Sequence, residues 1–233
     1  MSETQSSVDP LIRNPNQRTP CVLVLDCSGS MTAAISGESR ISQLNAGLRL
    51  LEQDLKADAM AKTRVQLAIV CVGGVAGDNN AATLLDWTDA VDFQAFPLKA
   101  SGYTPLGKGM LLALQMLRDQ VLAYQSRAVN STRPWIMLLT DGEPTDDDEW
   151  SRACAACRAA EQAGECVIFP IGVGEANMDK LQKVSATQAK ELTQTKFREL
   201  FVWISGSVRS ASRSRPGDRV QLPSTDTWAA VKA

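Results

Sequence analysis

The feature that most constrains the fold is an unbroken apolar run at residues 21–25, which ends at Asp26. A short, continuous run of this kind is typical of a strand buried on both faces of a parallel sheet. Residues 135–139 form a second such run, and it is followed closely by Asp141. We therefore expect two central strands that each carry a carboxylate to the carboxyl edge of the sheet, where open α/β sheets bind ligands.

Segments of strand and helix character alternate along the chain. Strands are predicted at residues 21–25, 65–72, 82–91, 135–139 and 166–173, and helices at 41–56, 106–124, 146–163, 178–184 and 196–208. This alternation predicts an α/β fold with a doubly wound, mostly parallel sheet and helices on both faces. The second and third strands leave no room for a helix between them, so we expect a hairpin and one antiparallel edge strand.

The same pattern sets the expected domain organisation. Residues 1–19 are polar and are interpreted as an N-terminal arm, residues 20–208 as one domain, and residues 209–233 as an irregular C-terminal tail. The N-terminus has no apolar segment typical of a secretion signal, and no apolar run approaches membrane-spanning length. These features predict a cytoplasmic protein without membrane attachment.

Charge and residue usage narrow the function classes. The chain has 24 basic and 26 acidic residues among 233, a net charge of −2, so no strong field draws it to nucleic acid. It contains no histidine, which excludes Ser-His-Asp and Cys-His triads and any histidine base or metal ligand.

Two further features have structural interpretations. Cys154 and Cys157 form a lone Cys-x-x-Cys pair, which we interpret as reduced helix cysteines rather than half of a zinc site or a disulfide. The acidic run at residues 146–149 is interpreted as the solvated start of a helix, where the helix dipole favours negative charge.

Five residues with oxygen-bearing side chains are predicted to meet at the carboxyl edge of the sheet. Asp26, Ser28 and Ser30 alternate after the first strand, so their side chains can point the same way in an extended turn. Thr104 lies in a glycine-bearing loop before a helix, and Asp141 follows the 135–139 strand. Such an oxygen-only set suits a hard cation, Mg²⁺ above all, although Mn²⁺ and Ca²⁺ accept the same ligands. The first segment also fits a strand followed by a serine-capped helix.

The three motifs together resemble a known family. Asp-x-Ser-x-Ser at residues 26–30, the Thr-Pro loop at 101–107 and Thr-Asp-Gly at 140–142 resemble a von Willebrand factor A (VWA) domain with an intact metal-ion-dependent adhesion site. The resemblance runs from Pro20 to about Ser207. Residues 101–107, 133–145, 196–201 and 214–217 resemble more narrowly the bacterial stand-alone TerY/YegL type, linked to tellurite resistance and stress operons. Tyr103 departs from the small residue common in the family.

The resemblance implies roles for the five residues. Ser28, Ser30 and Thr104 would coordinate the cation directly or through water. Asp26 and Asp141 would act largely through water or through hydrogen bonds to those hydroxyls. A cation with few direct negative ligands stays electrophilic, so it would bind a Glu or Asp carboxylate of a partner protein. The family works by binding rather than catalysis, and the TerY-type resemblance implies a protein kinase and a PP2C-type phosphatase as partners.

Two enzyme functions compete with this interpretation. Residues 102–108 fit the Gly-x4-Gly-Lys pattern of a P-loop nucleotidase, with Asp141 as the acid of a Walker B strand. Against it, Gly109 stands where the magnesium-binding hydroxyl belongs, no buried strand precedes the loop, and Asp26 has no role. A metal-dependent phosphoesterase would need a base, and only Asp141 could serve.

Overall fold

The computed structural model describes residues 11, 14, 16–35, 37–174, 176–193 and 196–230. The strands are β1 (Thr19–Asp26), β2 (Ala34–Ile35), β3 (Glu38–Ser39), β4 (Val65–Val72), β5 (Ala81–Asp89), β6 (Trp135–Thr140), β7 (Val167–Val173), β8 (Lys190–Leu192) and β9 (Ala229–Ala230). The α-helices are α1 (Arg40–Ala57), α2 (Ala61–Arg64), α3 (Leu106–Ser126), α4 (Asp147–Gln162), α5 (Met178–Gln182) and α6 (Phe197–Arg213). Short 3-10 helices cover Gly29–Thr32 and Gly74–Ala76.

The main sheet of the described residues has seven strands in the order β5-β4-β1-β6-β7-β8-β9. The five neighbouring strands β4, β1, β6, β7 and β8 run parallel, while β5 pairs antiparallel with β4 at the edge. This confirms the predicted doubly wound fold, the hairpin, and the central positions of β1 and β6, which lie side by side. At the opposite edge, β9 adds a two-residue antiparallel strand that the sequence did not predict.

Each face of the sheet has its own hydrophobic core, because successive strand residues point to opposite faces. Leu23 and Leu25 of β1 pack in the core beneath α1 and α6, whereas Val22 and Val24 pack beneath α3 and α4. The helices α1 and α6 approach closely at Gly47, where a Cβ atom would lie 2.1 Å from the Phe201 ring. Both faces of β1 are therefore covered, as its unbroken apolar run predicts.

The C-terminal region is more ordered than the predicted irregular tail from residue 209. Helix α6 continues to Arg213 because its apolar face still packs on the core through Ala211. Beyond it, the Trp203 indole donates to the Pro223 carbonyl at 2.9 Å, and Trp228 is fully buried just before β9. At the other end, most of the predicted arm lies outside the described residues.

A cleft of about 1230 Å³ opens at the amino edge of the sheet, on the side opposite to the carboxyl ends of β1 and β6. Its wall includes Trp135 and Phe169, whose rings meet edge to face at 5.2 Å between centroids. Arg133 and Arg215 also line this amino-edge cleft. All six cysteines are free, including Cys154 and Cys157 on α4, so the chain has no disulfide.

Candidate metal centre

Asp26 is the innermost residue of the candidate site and ends β1. Its buried carboxylate accepts a hydrogen bond from the Ser28 amide at 2.8 Å and another from the Thr140 hydroxyl at 2.5 Å. Burial raises the pKa of the Asp26 carboxyl to about 6, although the hydrogen bonds from Ser28 and Thr140 act in the opposite direction. The carboxylate is thus held rigidly at the carboxyl ends of two neighbouring strands.

A chain of hydrogen bonds connects the two predicted acids. The hydroxyls of Ser28 and Ser30 share a hydrogen bond of 2.9 Å, and Ser30 donates to Asp141 Oδ1 at 2.6 Å. Because Ser28 also bonds to Asp26, four of the five predicted residues form one continuous cluster. The adjacency of β1 and β6 makes this possible, since it brings residues more than a hundred positions apart to one edge.

Thr104 reaches the cluster through backbone packing. The Gly29 amide donates to the Gly102 carbonyl at 3.0 Å, which joins the Thr104 loop to the serine turn. The Thr104 hydroxyl lies 3.2 Å from the position that a Cβ of Gly142 would take, beside Asp141. All five predicted residues therefore lie together, although Thr104 makes no direct hydrogen bond to the other four side chains among the described contacts.

The loops that carry Thr104 and Asp141 are bonded to each other. Thr104 and Thr145 exchange two hydrogen bonds, of 3.2 and 3.0 Å. The Asp146 carboxylate accepts from the amides of Gly107 and Lys108 at 3.0 and 2.8 Å and so caps α3. Asp146 is buried, and burial raises its pKa. The prediction that this residue lies in a solvated helix start is wrong, because its buried carboxylate bonds to a different helix.

The cap on α3 also bears on the nucleotidase alternative. A P-loop presents the first backbone amides of its helix to phosphate. Here the amides of Gly107 and Lys108 are bound to Asp146, and the Lys108 ammonium donates to the Asn79 carbonyl at 2.8 Å. Neither the amides nor the lysine is directed toward a phosphate position.

Arg40 is part of the site, although the sequence motifs did not predict it. The Arg40 Nη1 atom lies 2.6 Å from Asp141 Oδ2, on the oxygen opposite to the one that Ser30 contacts. One signal was available: a basic residue begins α1, and the first turn of that helix has no acid, an arrangement that the helix dipole disfavours.

A family profile for the von Willebrand factor type A domain matches residues 21–201. The chain belongs to the VWA family. No curated protein sequence matches it. Solved structures with the same fold include the pilus adhesin SpaC from Lactobacillus rhamnosus GG, with 14% identity and a TM-score of 0.66. They also include manganese-loaded TRAP protein from Plasmodium vivax, with 16% identity and a TM-score of 0.51. Proximal thread matrix protein 1 from the mussel byssus, with a zinc-occupied MIDAS motif, has 15% identity and a TM-score of 0.50.

These similarities cover most of this VWA chain and unequal parts of the others. The match with SpaC spans 83% of this chain and 31% of SpaC. The match with TRAP spans 82% of this chain and 74% of TRAP, and the match with the mussel protein spans 82% of this chain and 47% of that protein. This chain therefore spans less than half the length of two of the three structures. Within the described residues, no helix is both long and apolar enough to cross a membrane.

The donor set of this VWA domain fits a hard divalent cation. It contains only oxygen atoms, from two carboxylates and three hydroxyls, and Arg40 balances one of the two negative charges. Two neighbouring side chains differ from the donors. Cys27 is buried in the core, whereas Tyr103 is 62% exposed at the rim.

Proposed function

We propose that this VWA domain is a metal-dependent docking module. The observation that carries the proposal is the hydrogen-bonded chain from Asp26 through Ser28 and Ser30 to Asp141. The buried carboxylates of Asp26 and Asp141 carry two negative charges, and the Arg40 guanidinium compensates only one of them. Because a buried charge without a partner is costly, a bound cation would stabilise this arrangement.

The residues divide into two roles in this proposal. Three hydroxyl oxygens would hold the cation, those of Ser28, Ser30 and Thr104. The carboxylates of Asp26 and Asp141 would orient these hydroxyls and contribute negative charge without contacting the cation directly. A bound divalent cation would supply an open coordination position that takes an oxygen of a partner's Glu or Asp side chain. The protein's own contribution is to fix the donors before binding, which lowers the entropic cost of capture.

The finer parts of the proposal rest on sequence resemblance. Mg²⁺ is the proposed ion, with Mn²⁺ or Ca²⁺ as substitutes, and manganese and zinc are the ions named for two of the similar structures. We propose a cytoplasmic role in a bacterial tellurite or stress response, with a protein kinase and a PP2C-type phosphatase as partners. The motifs at residues 101–107 and 133–145 support this TerY-type assignment.

We further propose that the domain carries out no catalysis. A metal-dependent phosphoesterase would need Asp141 as its base, but both Asp141 oxygens are engaged, one by Ser30 and one by Arg40. The nucleotidase alternative lacks a phosphate cradle at the start of α3.

Calorimetric titration with Mn²⁺ or Mg²⁺ tests the metal site, with Thr104→Ala as the informative variant. This change removes one proposed donor while the backbone bonds of Thr104 to Thr145 remain. Thr83→Ala, an exposed threonine of β5, is the matched control. We expect one site in the wild type and in the control, and much weaker binding in Thr104→Ala.

Co-purification from the native host tests the docking role. Partners should be retained by the wild type, and lost with Thr104→Ala or when EDTA is present. Equal retention under all three conditions would place the binding surface elsewhere. A melting temperature raised by nucleotide alone, or hydrolysis of a phosphoester that Asp141→Ala abolishes, would favour the enzyme alternatives instead.

A further inference from the structure

Arg40 is a largely buried cation inside a site that we propose to bind a cation. Its side chain is 13% exposed, and that of Asp141, its partner at 2.6 Å, is fully buried. A pair so removed from solvent interacts more strongly than a surface ion pair, because the surrounding dielectric screens it less. Arg40 therefore contributes to the electrostatics of any ion held by the neighbouring hydroxyls.

The fold leaves room for the Arg40 guanidinium at the end of β7 and anchors the backbone of this residue. Gly174 follows β7 with φ of +63°, and a Cβ at this position would come within 2.4 Å of Arg40 Nη2. The Arg40 amide also donates to the Ala33 carbonyl at 3.0 Å, which fixes the start of α1. The glycine leaves room for the guanidinium, so its position is built into the packing of two elements.

The location of Arg40 opposes the dipole of its own helix. A positive charge in the first helical turn is unfavourable, and α1 has no acid in that turn to offset it. The compensating contact is the ion pair with Asp141, which lies 101 residues later in the chain, just after β6. The arginine therefore interacts with the candidate site rather than with its own helix end.

We propose that Arg40 makes the metal-loaded site anion-seeking, an inference that rests on the proposed function. With both carboxylates ionised, the site with Arg40 carries one negative charge, and a divalent cation changes this to one positive charge. Without Arg40 the loaded site would be neutral. Arg40 should thus weaken the binding of a divalent cation to the empty site and strengthen the binding of a carboxylate to the loaded site. The cation and the partner's carboxylate should therefore bind best together.

Two affinities measured in matched variants test this inference. Arg40→Met removes the charge and keeps an unbranched apolar stem, Arg40→Lys keeps the charge, and Arg49→Met removes an exposed charge from the same helix. Calorimetry gives the Mn²⁺ affinity of each protein. Water-proton relaxation of the Mn²⁺-saturated protein, titrated with N-acetylglutamate α-amide, reports the binding of a carboxylate as bound water is displaced.

The two affinities should move in opposite directions in Arg40→Met. A unit charge near a divalent ion predicts Mn²⁺ binding about tenfold tighter and probe binding about tenfold weaker. Arg40→Lys and Arg49→Met should stay within about threefold of the wild type in both measurements. Opposite shifts cannot come from a general loss of structure, which would weaken both affinities.

Other outcomes overturn the inference. Weakening of both affinities in Arg40→Met would mean that Arg40 only supports the packing, and no change in either would mean that its charge has no influence. If the wild type binds Mn²⁺ but not the probe, the loaded site does not attract anions, and the inference fails while the proposed metal site stands. A wild type that takes up no Mn²⁺ would overturn the proposed metal site, and this inference with it.

Discussion

The two edges of the same sheet are built in opposite ways. At the carboxyl edge, Asp26 and Asp141 are buried and linked through Ser28 and Ser30, and Arg40 pairs with Asp141. At the amino edge, the cleft of about 1230 Å³ has aromatic walls, and Arg133 is exposed without an ion-pair partner among the described residues. Buried polar groups must be satisfied by one another, whereas exposed arginines have water. One edge is thus a specific polar network, and the other is mainly a packing surface.

The largest effect on stability should come from the amino edge. Trp135 begins β6, is only 5% exposed, and packs against Phe169. We expect Trp135→Ala to lower the free energy of unfolding by about 3–5 kcal/mol, measured by urea denaturation. Mn²⁺ affinity of the folded variant should not change, because Trp135 lies at the end of β6 remote from Thr140. Loss of metal binding in folded protein would show that the two edges are coupled.

The largest effect on metal binding should come from the carboxyl edge. Asp26→Ala removes a carboxylate that orients Ser28 and accepts from Thr140. We expect roughly a hundredfold loss of Mn²⁺ affinity by calorimetry, as is common when a group that orients metal ligands is removed. Arg133→Ala at the amino-edge cleft serves as the control and should leave the affinity unchanged. Undiminished binding in Asp26→Ala would rule out the assigned site.

A smaller effect is expected where two loops of the carboxyl edge are joined. Asp146→Ala removes the carboxylate that caps α3 through the amides of Gly107 and Lys108. The free energy of unfolding should fall by about 1–2 kcal/mol. Mn²⁺ affinity should also fall several-fold, because the Thr104 loop loses a support. Asp148→Ala is the control, because it removes an exposed acid from the first turn of α4, and it should change neither quantity.

The smallest effect should come from an exposed ion pair at the amino-edge cleft. Arg118 and Glu165 are 2.9 Å apart, with side chains 44% and 39% exposed. We expect Glu165→Gln to change the free energy of unfolding by less than about 0.5 kcal/mol, because solvent screens such pairs. Denaturation in low and high salt checks this expectation. A change as large as that of Asp146→Ala would contradict the contrast drawn between the two edges.

The sequence determined the architecture and most of the candidate site. Apolar runs identified β1 and β6 as buried strands, and the acids that follow them necessarily reach the same edge once the strands are parallel. The alternation of Asp26, Ser28 and Ser30 placed three oxygen-bearing side chains near one another before any fold was known. These features are local, since the apolar character of a strand and the alternating direction of its side chains are properties of that segment alone.

Only the tertiary structure decided which charged groups meet. Arg40 pairs with Asp141 across 101 residues, and Asp146 caps a helix that begins about 40 residues earlier in the chain. The extension of α6 to Arg213 and the pairing of β9 likewise depend on surfaces that other segments provide. Periodicity reports which face of a segment is buried but not which neighbour covers it. The partner of a polar side chain is therefore fixed only when helices and loops pack around the finished sheet.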